Sequence, residues 1–144
     1  MSTELHVLLP AEGMPTVHEW QTAIQAHGFD LVLDSTLNLQ TDAGFTSAVY
    51  KGQETGFEFE LSPASDIADL YREVGDILEG RDFSANFRWG SDLSECAAAT
   101  IAAAVLAATT AGILYDPQQR VAYRDAAAIT TAQQTIQAID RLRP

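Results

Sequence analysis

Cys96-Ala-Ala-Ala-Thr-Ile-Ala-Ala-Ala-Val-Leu-Ala-Ala-Thr-Thr-Ala-Gly-Ile-Leu114 runs nineteen residues without a charge. Whether it is a membrane span or a buried helix decides the fold. Its length meets the usual test for a span. Its content does not: Ile101, Val105, Leu106, Ile113 and Leu114 are the only large aliphatic residues, and Ala and Thr make up most of the rest. The flanking Glu95 and Asp116 are acidic, where a span would carry cationic anchors. The stretch reads as a soluble helix reaching about Ala111, opened by Asp92 and Glu95 as a capping box and ended by Gly112. Small side chains let a helix lie close to its neighbours, so this one belongs centrally, against a sheet.

The flanking segments supply that sheet. Upstream, Phe83 to Trp89 alternates, with Phe83, Ala85, Phe87 and Trp89 on one side and Ser84, Asn86 and Arg88 on the other. Phe57, Phe59 and Leu61 alternate in the same way with Glu58 and Glu60. That strand pairs with Ala48 to Lys51 in a hairpin joined through Gly52 to Gly56. Between Pro63 and Glu79, the stripe Ile67, Leu70, Tyr71, Val74 and Leu78 predicts one helix closed by Gly80, with Asp69, Glu73 and Asp76 facing water. Nearer the start, Leu5 to Leu9 and Phe29 to Leu33 read as strands around a helix that Thr16 and Glu19 cap and Gly28 ends. Downstream, Ile113 to Tyr115 and Val121 to Tyr123 flank the turn Asp116-Pro-Gln-Gln-Arg120, and a last helix spans about Asp125 to Leu142. The order is β-α-β-β-β-α-β-α-β-β-α. It predicts a single α+β domain over residues 1–144, with a largely antiparallel sheet and helices packed on one side.

Charge is unevenly placed. Of 20 Asp and Glu against 8 Lys and Arg, 17 acids and 4 bases fall at or before Glu95. The densest stretch, Glu54 to Asp82, carries Glu54, Glu58, Glu60, Asp66, Asp69, Glu73, Asp76, Glu79 and Asp82 against Arg72 and Arg81. Such a field repels nucleic acid and anionic membrane and speeds encounter with a basic protein. The single cysteine cannot form an internal disulfide, and the N-terminus lacks a basic signal-peptide start, which together favour the cytoplasm.

Catalytic signatures are weak. His6, His18 and His27 make no metal-binding pair, since two and a half turns set the last two on opposite faces of a helix. There is no glycine-rich phosphate loop, no nucleophile elbow, no calcium-loop pattern and no cofactor fingerprint. Cys96 lies in the first turn of a helix, where the dipole lowers a thiol pKa, yet Glu95 opposes a thiolate and no histidine stands near in sequence. Glu58 and Glu60 project from one strand face roughly 6.5–7 Å apart, a separation compatible with glycoside hydrolysis. If its strand pairs with theirs, Arg88 bridges the two carboxylates. Most aromatic residues fall on buried faces, while Phe45 and Tyr50 stand out as candidate exposed anchors.

Three stretches carry a resemblance: Met14-Pro-Thr-Val-His-Glu-Trp-Gln21, Gly56-Phe-Glu-Phe-Glu60, and Phe87-Arg-Trp-Gly-Ser-Asp-Leu-Ser-Glu-Cys96 continuing to Gly112-Ile-Leu-Tyr-Asp-Pro117. They resemble small acidic bacterial proteins, among them immunity proteins of secreted antibacterial toxins. The resemblance implies a cytoplasmic binder that blocks a toxin, and it assigns no residue a role. The expected partner is a basic protein, and the expected contacts are Glu54, Glu58, Glu60, Asp66, Asp69, Glu73 and Asp76. The alternative is a small-molecule-binding or hydrolytic enzyme built on Glu58, Glu60 and Arg88. A homodimer joined through the last helix is a further possibility.

Overall fold

The computed structural model describes residues 3–142. Its elements are β1 (Thr3–Leu9), α1 (Val17–Ala26), β2 (Leu31–Leu33), β3 (Gly44–Tyr50), β4 (Gln53–Pro63), α2 (Ala64–Leu70), α3 (Arg72–Gly75), β5 (Phe83–Trp89), α4 (Leu93–Thr109), β6 (Ile113–Asp116), β7 (Val121–Arg124) and α5 (Ala126–Leu142). The seven strands form one sheet in the order β2-β3-β4-β5-β1-β6-β7, and every neighbouring pair is antiparallel. The α+β class and the antiparallel sheet are as the sequence predicts.

The alanine-rich stretch is α4, and it is central. Residues from Ala97 to Ala107 are all buried. The helix packs against α1, α5 and the sheet strands β1, β3, β4, β5 and β6. Methyl side chains make that possible, because backbones separated by alanine approach more closely than backbones separated by leucine. No helix among the described residues is long and apolar enough to cross a membrane. The large side chains of this core come instead from the facing elements. Trp20 of α1 is fully buried and donates its indole N–H to the Ala102 carbonyl at 3.0 Å. Its ring meets Phe87 edge-on at 6.1 Å and Phe59 at 6.2 Å.

The cap signals are borne out at α1, where Thr16 Oγ1 accepts from Glu19 N and Glu19 Oε1 accepts from Thr16 N. At α4 only half of the box forms. Asp92 accepts from the Ser94 and Glu95 amides, but Glu95 turns back to Gly90 N instead of Asp92 N. The left-handed residue that ends α4 is Ala111, not Gly112. Gly112 serves another purpose: a Cβ there would stand 3.0 Å from the Leu8 carbonyl oxygen and 2.9 Å from Thr110 Oγ1.

Three expectations are corrected. The β3–β4 connection is not a five-residue loop but a two-residue turn at Lys51-Gly52, where both residues take positive φ, the conformation that matches strand twist. The helix predicted from Pro63 to Glu79 breaks at Tyr71, whose φ of −131° and ψ of 103° are extended. The break brings the Tyr71 ring onto Tyr115 at 5.4 Å and His6 at 6.3 Å, and it leaves Leu70 exposed. Finally, the helices do not all share one side. Beneath α1, α4 and α5 lies the large cluster containing Val7, Leu9, Phe57, Phe59, Phe87 and Leu114. On the opposite face, α2 and α3 cover a smaller cluster of Leu8, Ala64, Ile67, Val74, Ile113 and Tyr115. Leu8, Ile113 and Tyr115 alternate with the residues of the first cluster along β1 and β6, so one strand feeds both cores.

Candidate functional site

α2 and α3 are short, so they cover only part of their side of the sheet. The registers show what is left. One cross-strand row runs Phe45, Glu58, Arg88, Glu4 through β3, β4, β5 and β1. The next runs Glu60, Asn86, His6, Tyr115, and a third runs Ser62, Ser84, Leu8, Ile113. The third row and Tyr115 lie under α2 and α3. The first row stays open, with Phe45 63% exposed and Glu58 and Glu60 exposed beside it.

Arg88 does not bridge Glu58 and Glu60. Its Nη2 and Nε donate to Glu4 Oε1 at 2.6 and 2.9 Å. Glu4 is opposite Arg88 on β1, whereas Glu58 is opposite on β4, so the guanidinium has a choice and takes the β1 side. The residues nearest this spot form a recess of about 150 Å³ lined by Glu4, Gly44, Glu58, Phe59, Glu60, Asn86, Phe87 and Arg88. Small-molecule sites usually enclose about 300–1,000 Å³ behind apolar walls. The recess is smaller than that, so it lends the enzyme alternative no support.

The second row holds a buried polar network. Asn86 Oδ1 accepts from Ser84 Oγ and from His6 Nδ1, each at 2.7 Å, and Asn86 Nδ2 donates to Ser62 Oγ at 2.8 Å. An amide oxygen only accepts, so the His6 proton sits on Nδ1. Nε2 has no hydrogen-bond partner among the described residues, and Glu4 Oε2 stands 3.8 Å away. Burial pushes the His6 pKa below its usual value, partly offset by the bond to Asn86 and the charge of Glu4. The imidazole is therefore held neutral. Ser84 donates to Asn86 and not to His6, so no nucleophile–base pair is formed.

Glu73 is taken out of the candidate surface. It accepts from Arg120 Nε and Nη2, both at 2.7 Å, and from the Tyr115 hydroxyl at 2.7 Å. Arg120 first, and then Tyr115, hold its carboxyl down at about 2. Burial, together with the bond to Glu73, pushes the Tyr115 hydroxyl up to about 12. Glu73 fastens α3 to the β6–β7 hairpin, and its side chain stays partly exposed while it does so. The other acids expected to meet a partner are exposed: Glu54, Glu58 and Glu60 on β4, Asp66 and Asp69 on α2, and Asp76 just after α3. None of these six forms an ion pair among the described residues. Five cations are used elsewhere: Lys51 faces Asp140, Arg88 faces Glu4, Arg120 faces Glu73, and Arg124 and Arg81 face Glu79, while Arg72 and Arg141 form no ion pair among the described residues.

Beside the β4 carboxylates lies the larger concavity, about 490 Å³, where β2 stops short of β3. Val32, Asp34, Phe45, Ser47, Val49 and Glu54 line it. Phe45 is exposed, as the sequence suggests, but Tyr50 is not: it is 4% exposed and belongs to the core. Cys96 is half-buried, and burial raises its thiol pKa, which disfavours the thiolate. Among the described residues no cluster of three His, Cys, Asp or Glu is placed to hold a metal ion. Compared with known proteins, the chain matches no protein-family model, no curated protein and no solved structure.

Proposed function

We propose that the protein is an acidic binding module that occludes the basic surface of a partner, in the manner of an immunity protein that neutralises a cognate toxin. The observation that carries this reading is the open side of the sheet. Glu54, Glu58 and Glu60 stand in a line on β4, exposed and without ion pairs among the described residues, beside the exposed apolar side chains of Phe45 and Val32. Asp66, Asp69 and Asp76 extend the same sign over the helices on that side. An apolar centre with a charged rim is the anatomy of a protein interface, and unpaired rim charges of one sign set association rate. Burying Phe45 and Val32 against the partner would supply affinity, while the carboxylates would engage the Lys or Arg that the partner uses on its own substrate.

The test is protection. A candidate basic toxin domain is co-expressed with the protein in a host that it kills, and association of the purified pair is timed at low and high salt. Protection is expected. Combined Glu54→Lys, Glu58→Lys and Glu60→Lys should slow association by tenfold or more at low salt and much less at high salt. Native kinetics and full protection in that variant would sink the proposal.

A further inference from the structure

The unpaired edge of the sheet beside this acidic face has a defined hydrogen-bond pattern. Lys51 N, just beyond the end of β3, donates to Asp30 O, just before β2, at 3.1 Å, so positions in phase with Lys51 bond toward β2. In an antiparallel ladder such residues alternate, so Val49, Ser47 and Phe45 also point their N–H and C=O groups outward. The turn gives the same phase independently, because Tyr50 and Gln53 flank the two-residue Lys51-Gly52 turn and Tyr50, Ala48 and Thr46 bond inward to β4. β2 pairs only with Ala48, Val49 and Tyr50. After Leu33 the chain turns away at Asp34, leaving the outward groups of Ser47 and Phe45 without a backbone partner among the described residues. The concavity of about 490 Å³ opens at this spot.

We propose that the outer edge of β3 at Phe45–Ser47 accepts an extended, basic segment of the partner as an added strand. The proposal rests on the acidic-module reading above and names the segment it would recognise. Charge selects this edge over the other one. At β7, the opposite edge of the sheet, Arg124 and the neighbouring Arg120 are already paired with Glu79 and Glu73, whereas Asp34, Glu54 and Glu58 surround the β3 edge without ion pairs among the described residues. A strand laid along Phe45–Ser47 points alternate side chains to the Phe45 face. A Lys or Arg there stacks on the exposed ring and reaches toward Glu58, the residue directly opposite Phe45 on β4. Main-chain bonds supply pairing, and the alternate basic side chains supply selectivity.

The probe is a capped peptide, Lys-Val-Arg-Val-Lys-Val-Arg, with a Glu-for-basic counterpart and two N-methylated forms. One form carries methyl groups on the odd amides and the other on the even amides. Binding is read by fluorescence anisotropy, and amide exchange is followed at Phe45 and Ser47. Strand addition predicts that the basic peptide binds and the acidic one does not, that both amides gain protection, and that only one methylation phase weakens binding by tenfold or more. Ser47→Pro removes an outward N–H without touching the β3–β4 ladder and should weaken binding about tenfold. No binding, equal binding of both methylated forms, equal binding of the acidic peptide, or binding without protection at Phe45 and Ser47 would each overturn the edge proposal. Toxin protection that persists alongside any of these results would leave the acidic-module reading standing. Loss of protection with intact strand addition would remove that reading instead.

Discussion

Gly56→Ala probes how tightly the open side of the sheet is built. Gly56 is buried in the middle of β4, opposite Ser47. A Cβ at this position would overlap the Thr46 carbonyl oxygen and Phe45 Cζ, and would stand 3.0 Å from Phe45 Cε1. The Phe45 ring therefore lies across the glycine, which is why an aromatic residue so exposed still has a fixed place. Two terms of opposite sign decide the outcome. Overpacking typically costs about 1–3 kcal/mol. Replacing glycine lowers the entropy of the unfolded chain, which is worth about 0.4–1 kcal/mol in favour of the variant. Strain wins, because one of the overlapping atoms belongs to backbone that β4 itself pins, and the net loss is about 1–2 kcal/mol. With an unfolding entropy near 2.1 cal/mol/K per residue over 144 residues, each kcal/mol lowers Tm by about 3 °C. A fall of about 3–7 °C is expected by differential scanning calorimetry. The same substitution in a Phe45→Ala background should cost about half as much, since the ring overlap is gone and the carbonyl overlap remains. A Tm unchanged or raised in Gly56→Ala, or an equal loss in both backgrounds, would refute the reasoning.

Two further outcomes concern titration. Glu73 ionises near 2 in the fold against an ordinary 4.5, so its ion pair contributes stability that is complete above about 4.5 and is lost as pH falls toward 2. In Glu73→Gln, urea midpoints should lie below the native ones at pH 7, and their decline between pH 4.5 and 2 should be shallower. His6 behaves oppositely to a histidine that gains a charged partner: its folded pKa is lowered by burial, so the unfolded chain binds the proton more readily and stability falls as pH drops below 6.5. His6→Gln should flatten the dependence of urea midpoint on pH just below 6.5. An unchanged slope would show that the ring does not stay neutral between Asn86 and Glu4.

The parts of the fold legible in the sequence are those set by near neighbours. The alternation of Phe57, Phe59 and Leu61 with Glu58 and Glu60 fixes a face without reference to any other strand. The Thr16–Glu19 box fixes a helix start within four residues. The unread parts depend on distant partners. Nothing local to Tyr71 announces a break, since Ile67, Leu70, Tyr71, Val74 and Leu78 keep helical spacing throughout. The break follows from Tyr115 and His6, more than forty residues away in either direction. The same cause decides the partners of Arg88 and Glu73. Periodicity gives their faces, but their partners Glu4 and Arg120 are set by strand order and hairpin position. The period-two pattern of Glu4 and His6 among Leu5 and Val7 held a signal for the candidate surface. Only the central position of β1, between β5 and β6, gives that signal meaning.

Lys51 is the sequence's one lysine, and it occupies the tight turn at the end of β3 with its ammonium on Asp140 of α5. Amine-directed reagents consequently find one side-chain target in the whole molecule. A dye coupled there sits on the same strand as Phe45, roughly 20 Å along it by strand rise. It also reports on a second event, because acylation removes the charge that ties the hairpin to the last turn of α5. The position offers a single-point attachment for immobilising or tagging the protein without chemistry on its acidic side.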